Sequence, residues 1–292
     1  MGAYVTEARS PRGGCRNRAL RALGDLPPFS PILNRLLATL AQDDISFARL
    51  GDLIEKDTVV AGNILRLVNS ALYGRQGTIN SVRHAITLLG INKLRNAVLG
   101  MSITRMWNDV RTPPGWSMAR FNLHSVSTAI LADLLAQRLP VDYPEGAFAA
   151  GLFHDVGRLL IALGLREEHG QILQLYAESG QSMIECEQEV IGVTHPELSV
   201  AAMVAWNLPR PIQTAVELHH RPPEARDELE LAHVVYAADQ FVNASGTSVI
   251  EMLSPADAPV REALDDLEIG DRLPRVLEEF SMEFESLAPF FR

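Results

Sequence analysis

The chain has 292 residues, enough for one large domain or two packed subdomains, and its 47% hydrophobic and 21% charged residues are the balance of a globular protein with a real core. Lys and Arg number 26 against 36 Asp and Glu; a net charge of -10 argues against a broad phosphate-binding surface, so direct nucleic-acid binding is not expected. No uninterrupted apolar run approaches the ~18 to 20 residues of a membrane span, so no membrane insertion is expected. Two cysteines, Cys15 and Cys186, make no spaced disulfide framework, which fits a reducing cytoplasm.

Residues 1-24 carry Arg9, Arg12, Arg16, Arg18 and Arg21 among Ser10, Pro11, Gly13 and Gly14. The run has no hydrophobic period and reads as a disordered basic tail. From Pro27 the punctuation is helical. Ile32, Leu33, Leu36, Leu37 and Leu40 trace one face. Ser46 and Asp57 are candidate caps for the next two helices and Ser81 for a fourth, which Gly90 stops before a fifth helix runs to Trp107. Five helices thus fill roughly 27 to 107, as an N-terminal helical subdomain over 25-110.

Arg111-Thr112-Pro113-Pro114-Gly115 breaks the chain before a second helical bundle over 115-245. Asp142-Tyr143-Pro144-Glu145, Ser182-Met183-Ile184-Glu185 and Thr194-His195-Pro196-Glu197 each read as a capping box at a helix start. Helices are also expected over Pro259 to Ile269 and Asp271 to Arg292, within a C-terminal helical extension over 246-292. The apolar stripe there, Val276, Leu277, Phe280, Phe284, Leu287, Phe290 and Phe291, reads as core packing first and as a partner or homodimer contact second. No strand-like alternation competes, so the fold class is all-α.

Eight histidines are ordinary in number; their arrangement is not. His124, the pair His154-Asp155, His195, the doublet His219-His220 and Asp239 fall on separate helices or helix ends. Imidazole and carboxylate together suit Fe, Mn, Zn or Ni, and only converging helices could surround an ion with so many donors. The bland alternative is that each is a hydrogen-bonded core residue or a buried ion pair. His84, His169 and His233 fit no pattern and read as structural or solvent-facing.

Two segments, Asp57 to Gly74 (DTVVAGNILRLVNSALYG) and Ala85 to Asn96 (AITLLGINKLRN), resemble the N-terminal signatures of the HDOD family, the HD-related output domains of bacterial signalling. The resemblance continues through Gly151 to Leu160, His195 to Pro209 and Glu217 to Pro222. It covers roughly residues 25 to 245. It implies an HD-domain-like helical bundle acting as a regulatory output module, often without enzymatic activity, whose partners are signalling proteins or a small ligand. The related HD and HD-GYP phosphohydrolases bind a mono- or dinuclear divalent metal centre. Carried over by motif, its ligands here are His124, His154, Asp155, His195, His219, His220 and Asp239.

The departures lie beside the metal positions. Where HD-GYP enzymes follow the His-Asp pair with Ile-Gly-Lys, this chain has Val156-Gly157-Arg158, and after the doublet it reads Arg221-Pro222-Pro223-Glu224-Ala225 in place of Gly-Tyr-Pro. Arg120 stands where some relatives carry a further carboxylate. Cleavage of cyclic-di-GMP is therefore not expected, and two classes stay open: a signalling module with a structural metal, or a metal-dependent phosphohydrolase in which His154, Asp155 and Arg158 would be catalytic. Arg66, Asn69 and Arg95, polar positions on two N-terminal helices, are candidates for a ligand or partner groove between the subdomains.

Overall fold

The computed structural model describes residues 11-40, 47-70, 79-222, 229-250 and 263-291. Among them are no strands; the only β feature is an isolated bridge between Val141 and Leu229. The helices are α1 (Pro11–Arg21), α2 (Pro31–Thr39), α3 (Phe47–Glu55), α4 (Thr58–Val68), α5 (Val82–Leu89), α6 (Ile91–Asn108), α7 (Met118–Ala136), α8 (Ala147–Phe153), α9 (Val156–Gly164), α10 (Arg166–Ser179), α11 (Met183–Val190), α12 (His195–Ala205), α13 (Arg210–Glu217), α14 (Leu231–Ala244) and α15 (Leu273–Leu287).

The expected N-terminal five are α2 to α6. Asp57 caps α4 by accepting from the main-chain N–H groups of Val59 and Val60, and Ser81 caps α5 through His84 N–H. Gly90 ends α5 at φ 79°, the left-handed region that side chains avoid. Ser46 lies outside the described residues. The capping boxes at Ser182 and Thr194 are formed. The one at Asp142 is not: Tyr143 sits at φ 61° and a short 3-10 turn, Pro144–Gly146, leads into α8. The left-handed backbone at Tyr143 takes the position after Asp142 out of the helical conformation that a capping box requires.

Residues 11-21 also depart from expectation, since they form α1, not a disordered tail. Composition hides this helix because its order comes from tertiary contact: α1 lies across α9, Ala19 and Ala22 are fully buried, and Arg18 pairs with Glu168 of α10 at 2.5 Å.

The centre of the molecule is α7, buried along nearly its whole length, with α8, α14 and α15 packed on it. Trp107 of α6 is buried and meets Phe121 of α7 and Phe153 of α8, so one core runs from the N-terminal helices into the bundle. Pro144–Gly164 is apolar and long enough to cross a membrane, yet 89% of its apolar window is buried inside the protein, as a core element. The C-terminal stripe is core as well. Val276, Phe280, Leu287 and Phe291 are buried, and Leu277, Phe284 and Phe290 pack against the same core. Of the helix expected over Pro259 to Ile269, residues up to 262 lie outside the described residues.

Candidate metal centre

Two glycines bring the histidine-bearing elements into register. A Cβ added at Gly151 in α8 would stand 2.7 Å from the Ala129 Cα of α7, and one at Gly157 in α9 would stand 2.0 Å from the His195 carbonyl oxygen of α12. Only glycine permits backbones that close. Ser199 of α12 locks the second crossing: its Oγ donates to the His154 carbonyl and accepts from the Gly157 N–H, both at 2.8 Å. The His154-Asp155 break between α8 and α9 is thereby held between His124 on α7 and His195 at the start of α12.

All seven expected ligands converge, in two halves that share Asp155. In the first half, His124 Nε2 lies 3.1 Å from His154 Nε2, 3.2 Å from Asp239 Oδ1 and 3.6 Å from Asp155 Oδ2. His154 Nε2 lies 3.4 Å from Asp239 Oδ1 and 3.6 Å from Asp155 Oδ2. Bonds of ~2.0 to 2.2 Å to one ion place adjacent ligands roughly 2.8 to 3.6 Å apart, so the spacing suits a shared cation. In the second half, Asp155 Oδ1 is 3.1 Å from His195 Nε2 and 3.9 Å from His219 Nε2, while His195 Nε2 is 2.9 Å from His220 Nε2.

The second nitrogens of these rings decide the donor chemistry. His124 Nδ1–H donates to the Thr247 carbonyl at 2.8 Å, His154 Nδ1–H to the Gly151 carbonyl at 2.7 Å and His219 Nδ1–H to the Val216 carbonyl at 2.6 Å. A carbonyl accepts only, so each Nδ1 carries the proton and each neutral ring turns an Nε2 lone pair inward, as metal-binding histidines do. His195 Nδ1–H meets Glu187 at 2.8 to 2.9 Å. His219 Nε2 is buried with no hydrogen-bond partner among the described residues. The four facing atoms of the first half offer one another only lone pairs, which repel unless a cation or a proton joins them, and Asp239 Oδ1 also accepts from Asn243 Nδ2–H at 2.8 Å. These residues fit a divalent metal.

The charges agree. Burial pushes His219 well below the usual imidazole range, helped by His220, His154 and His195, and burial beside His195 takes His220 down to about 3. Both stay neutral. Burial would raise Asp155 and Asp239, but Arg158 and the imidazoles outweigh it for Asp155, and the imidazoles of His124 and His154 do so for Asp239; both are held well below the carboxylate range. Those two carboxylates raise His154 against its burial.

The HDOD domain model matches residues 26–222, two thirds of the chain. The chain belongs to the HDOD family. Its HDOD fold is shared with an HDOD domain protein of unknown function from Geobacter sulfurreducens (TM-score 0.74, 24% identity, 94% of this chain and 98% of that one). A candidate phosphohydrolase from Shewanella amazonensis SB2B is similar too (TM-score 0.72, 21% identity, 94% and 98%). At these identities the likeness is one of fold. An uncharacterized protein of Treponema pallidum (strain Nichols) is 22% identical over 208 residues, which are 70% of this chain and 40% of that protein. The HDOD chain thus spans about two fifths of that relative's length.

Beside the HDOD centre, the other singled-out residues have partners of their own. Arg158 is not turned to open space: its Nε–H donates to Asp155 Oδ1 at 2.8 Å. Arg120 donates to the Ser248 carbonyl at 3.2 Å, away from the ligand set. The three groove candidates sit in different settings. Arg66 is exposed, bonded to Asn63 and stacked over Phe290 at 5.0 Å; Asn69 clips the backbone of Ile79 through two bonds of 2.8 Å; Arg95 is buried and donates to the Glu145 carbonyl.

Sequence reasoning also missed Glu187, Ser199 and Asn243, which fix His195, His154 and Asp239 from behind. A cavity of about 700 Å³ opens next to His220, lined by Glu185, Glu189, Glu197, Glu217 and Arg221 among others. Of the seven cluster residues, His220 is the one that lines it.

Proposed function

We propose that this HDOD chain is a cytoplasmic bacterial signal-transduction output module that acts by binding a signalling protein or a small ligand, with the His/Asp centre as a metal-held pin in its core. The observation that carries this reading is the charge of the cavity beside His220, where four glutamates face one arginine. A phosphate ester approaching the centre by that route meets net negative charge, the opposite of the focusing field that phosphate-handling sites use. The residue that would otherwise hold phosphate, Arg158, is committed to Asp155. A metal ion here would supply Lewis acidity and water activation, and the ligand set supports the phosphohydrolase reading to that extent. Substrate positioning is what that reading lacks.

The test is a hydrolysis screen of the Mn- or Fe-loaded protein against phosphomonoesters, nucleotides and cyclic dinucleotides including cyclic-di-GMP. No turnover above the metal blank is expected. Turnover that disappears in Asp155→Ala would overturn the reading and make the protein an enzyme.

A further inference from the structure

We propose that the cavity bounded by α2, the start of α4 and the end of α6 binds a nucleoside monophosphate, with Arg35, Lys56 and Arg105 holding its phosphate. The inference rests on the reading above of a ligand-binding module; it names the class of ligand and a place for it apart from the His/Asp centre.

Three elements bring one cation each to this cavity of about 510 Å³: Arg35 comes from α2, Lys56 from the turn between α3 and α4, and Arg105 from α6. The volume falls within the ~300 to 1,000 Å³ of small-molecule sites. Asp57 is the one carboxylate that lines it. Its Oδ1 already accepts from the Val59 and Val60 N–H groups and stands 3.6 Å from Arg105, beyond a direct hydrogen bond. Arg35 and Lys56 have no hydrogen-bond or ion-pair partner among the described residues. Three cations against one carboxylate leave two positive charges around the cavity, in a chain whose net charge is -10. A phosphate monoester carries about -1.5 to -2 at pH 7, which matches that excess, and a guanidinium fork suits its oxygens. The cavity beside His220, with four glutamates and one arginine, would repel the same molecule.

The remaining surface suits a heterocycle and its sugar. Val59 is 45% exposed there, one of three large apolar residues left so open among those described, and Pro31, Ile32 and Leu53 also line the cavity. A second recess of about 220 Å³ shares Ser30, Asp57 and Arg105 with the first and is lined also by Pro28, Met106, Asp109 and Ser102. Ser102 is only 9% exposed, and its hydroxyl has no hydrogen-bond partner among the described residues. Buried hydroxyls are ordinarily paired, so this one marks a place where a partner is missing. The Asp109 carboxylate accepts hydrogen bonds, and the Ser102 hydroxyl both donates and accepts. Apolar walls, a short polar recess and a dianion's worth of positive charge together describe a ligand with a flat ring, hydroxyls and one phosphate.

The experiment is isothermal titration calorimetry of the full chain with AMP and GMP, with adenosine and inorganic phosphate as the two halves of the ligand, in the presence and absence of EDTA. One nucleotide per chain should bind, more weakly as salt is raised, equally with EDTA, and more tightly than adenosine or phosphate alone. Arg35→Gln, Lys56→Gln and Arg105→Gln, all at exposed positions and checked for native helix content, should each weaken binding about tenfold, the effect of losing one charge-assisted contact. Arg221→Gln, at the cavity beside His220, should bind as wild type does. No saturable binding of either nucleotide at millimolar concentration, adenosine or phosphate binding as tightly as AMP and GMP, unchanged affinity in all three cation variants, or loss of binding in Arg221→Gln or with EDTA would each overturn the proposal; the wild-type arms decide even if a variant does not fold. Any of these results leaves the module free to act through a protein partner. Hydrolysis of AMP or GMP, followed by chromatography of the same samples, would instead overturn the non-catalytic reading and leave this site standing.

Discussion

One oxygen of Glu187, Oε2, accepts from both the main-chain N–H of His195 at 2.7 Å and its Nδ1–H at 2.8 Å. A single buried carboxylate on α11 thus fixes the first residue of α12, its ring orientation and its tautomer. A negative charge at a helix N-terminus is also favourable in itself. Glu187→Ala would strand two buried donors, each costing about 1 to 3 kcal/mol. Urea unfolding should show a loss of roughly 2 to 6 kcal/mol, and Glu187→Gln, which keeps an acceptor, a smaller one. Equal losses in the two variants would show that the acceptor geometry is not what holds His195.

Removal of a bound ion should destabilise the fold in proportion to its affinity. A ligand present at 100 times its Kd stabilises the native state by about 2.7 kcal/mol. Thermal unfolding of metal-loaded protein should therefore shift downward on chelation, and Asp155→Ala, lacking the shared carboxylate, should not respond. A chelator shift of the same size in Asp155→Ala would place the responsible ion elsewhere.

The His/Asp cluster was legible and its supports were not, for a physical reason. His154-Asp155 and His219-His220 stand out because adjacency and helical setting are local properties, and Gly151 and Gly157 sit in the same segment. The partners that orient the rings are mostly carbonyls, of Thr247, Gly151 and Val216, which every residue possesses. Glu187 is eight residues before His195 across a turn, a spacing no helical period marks. The role of Arg158 depended on whether its side chain turned back one helical turn to Asp155 or out to solvent, which sequence does not decide. α1 was invisible because its order depends on burying Ala19 and Ala22 against other helices. Asp142 misled because its pattern matches that of Thr194-His195-Pro196-Glu197, and only the backbone at Tyr143, at φ 61°, separates the box that forms from the one that does not.

The C-terminal aromatic pair should matter for stability more than its position near the chain end suggests. Phe291 is buried beside Phe148, over Gly100 of α6, and Phe290 lies under the Arg66 guanidinium. Phe291→Ala should cost about 3 to 5 kcal/mol, as for other core phenylalanines, and Phe290→Ala distinctly less. Denaturant midpoints for the two variants check the order; a neutral Phe291→Ala would mean that the contact is absent in solution.

Asp133 should make stability fall as pH rises through the neutral range. It is buried on α7, and burial, reinforced by the nearby Glu283, raises its carboxyl to about 7 despite Arg95 and Lys93. Gln137 Nε2–H donates to its Oδ2 at 2.6 Å. Unfolded, the group titrates near ~3.9. Between about pH 4 and 7 the native state therefore holds a proton that the unfolded state has lost. The stabilisation from the protonated form is fully present below the unfolded value and is lost as pH climbs through about 7, with a slope of up to ~1.4 kcal/mol per pH unit. Asp133→Asn imitates the protonated carboxyl and should flatten that part of the profile, leaving the variant more stable than wild type above pH 7. The measurement is denaturant unfolding of both proteins from pH 4.5 to 8.5, where parallel curves would show that Asp133 does not carry the dependence.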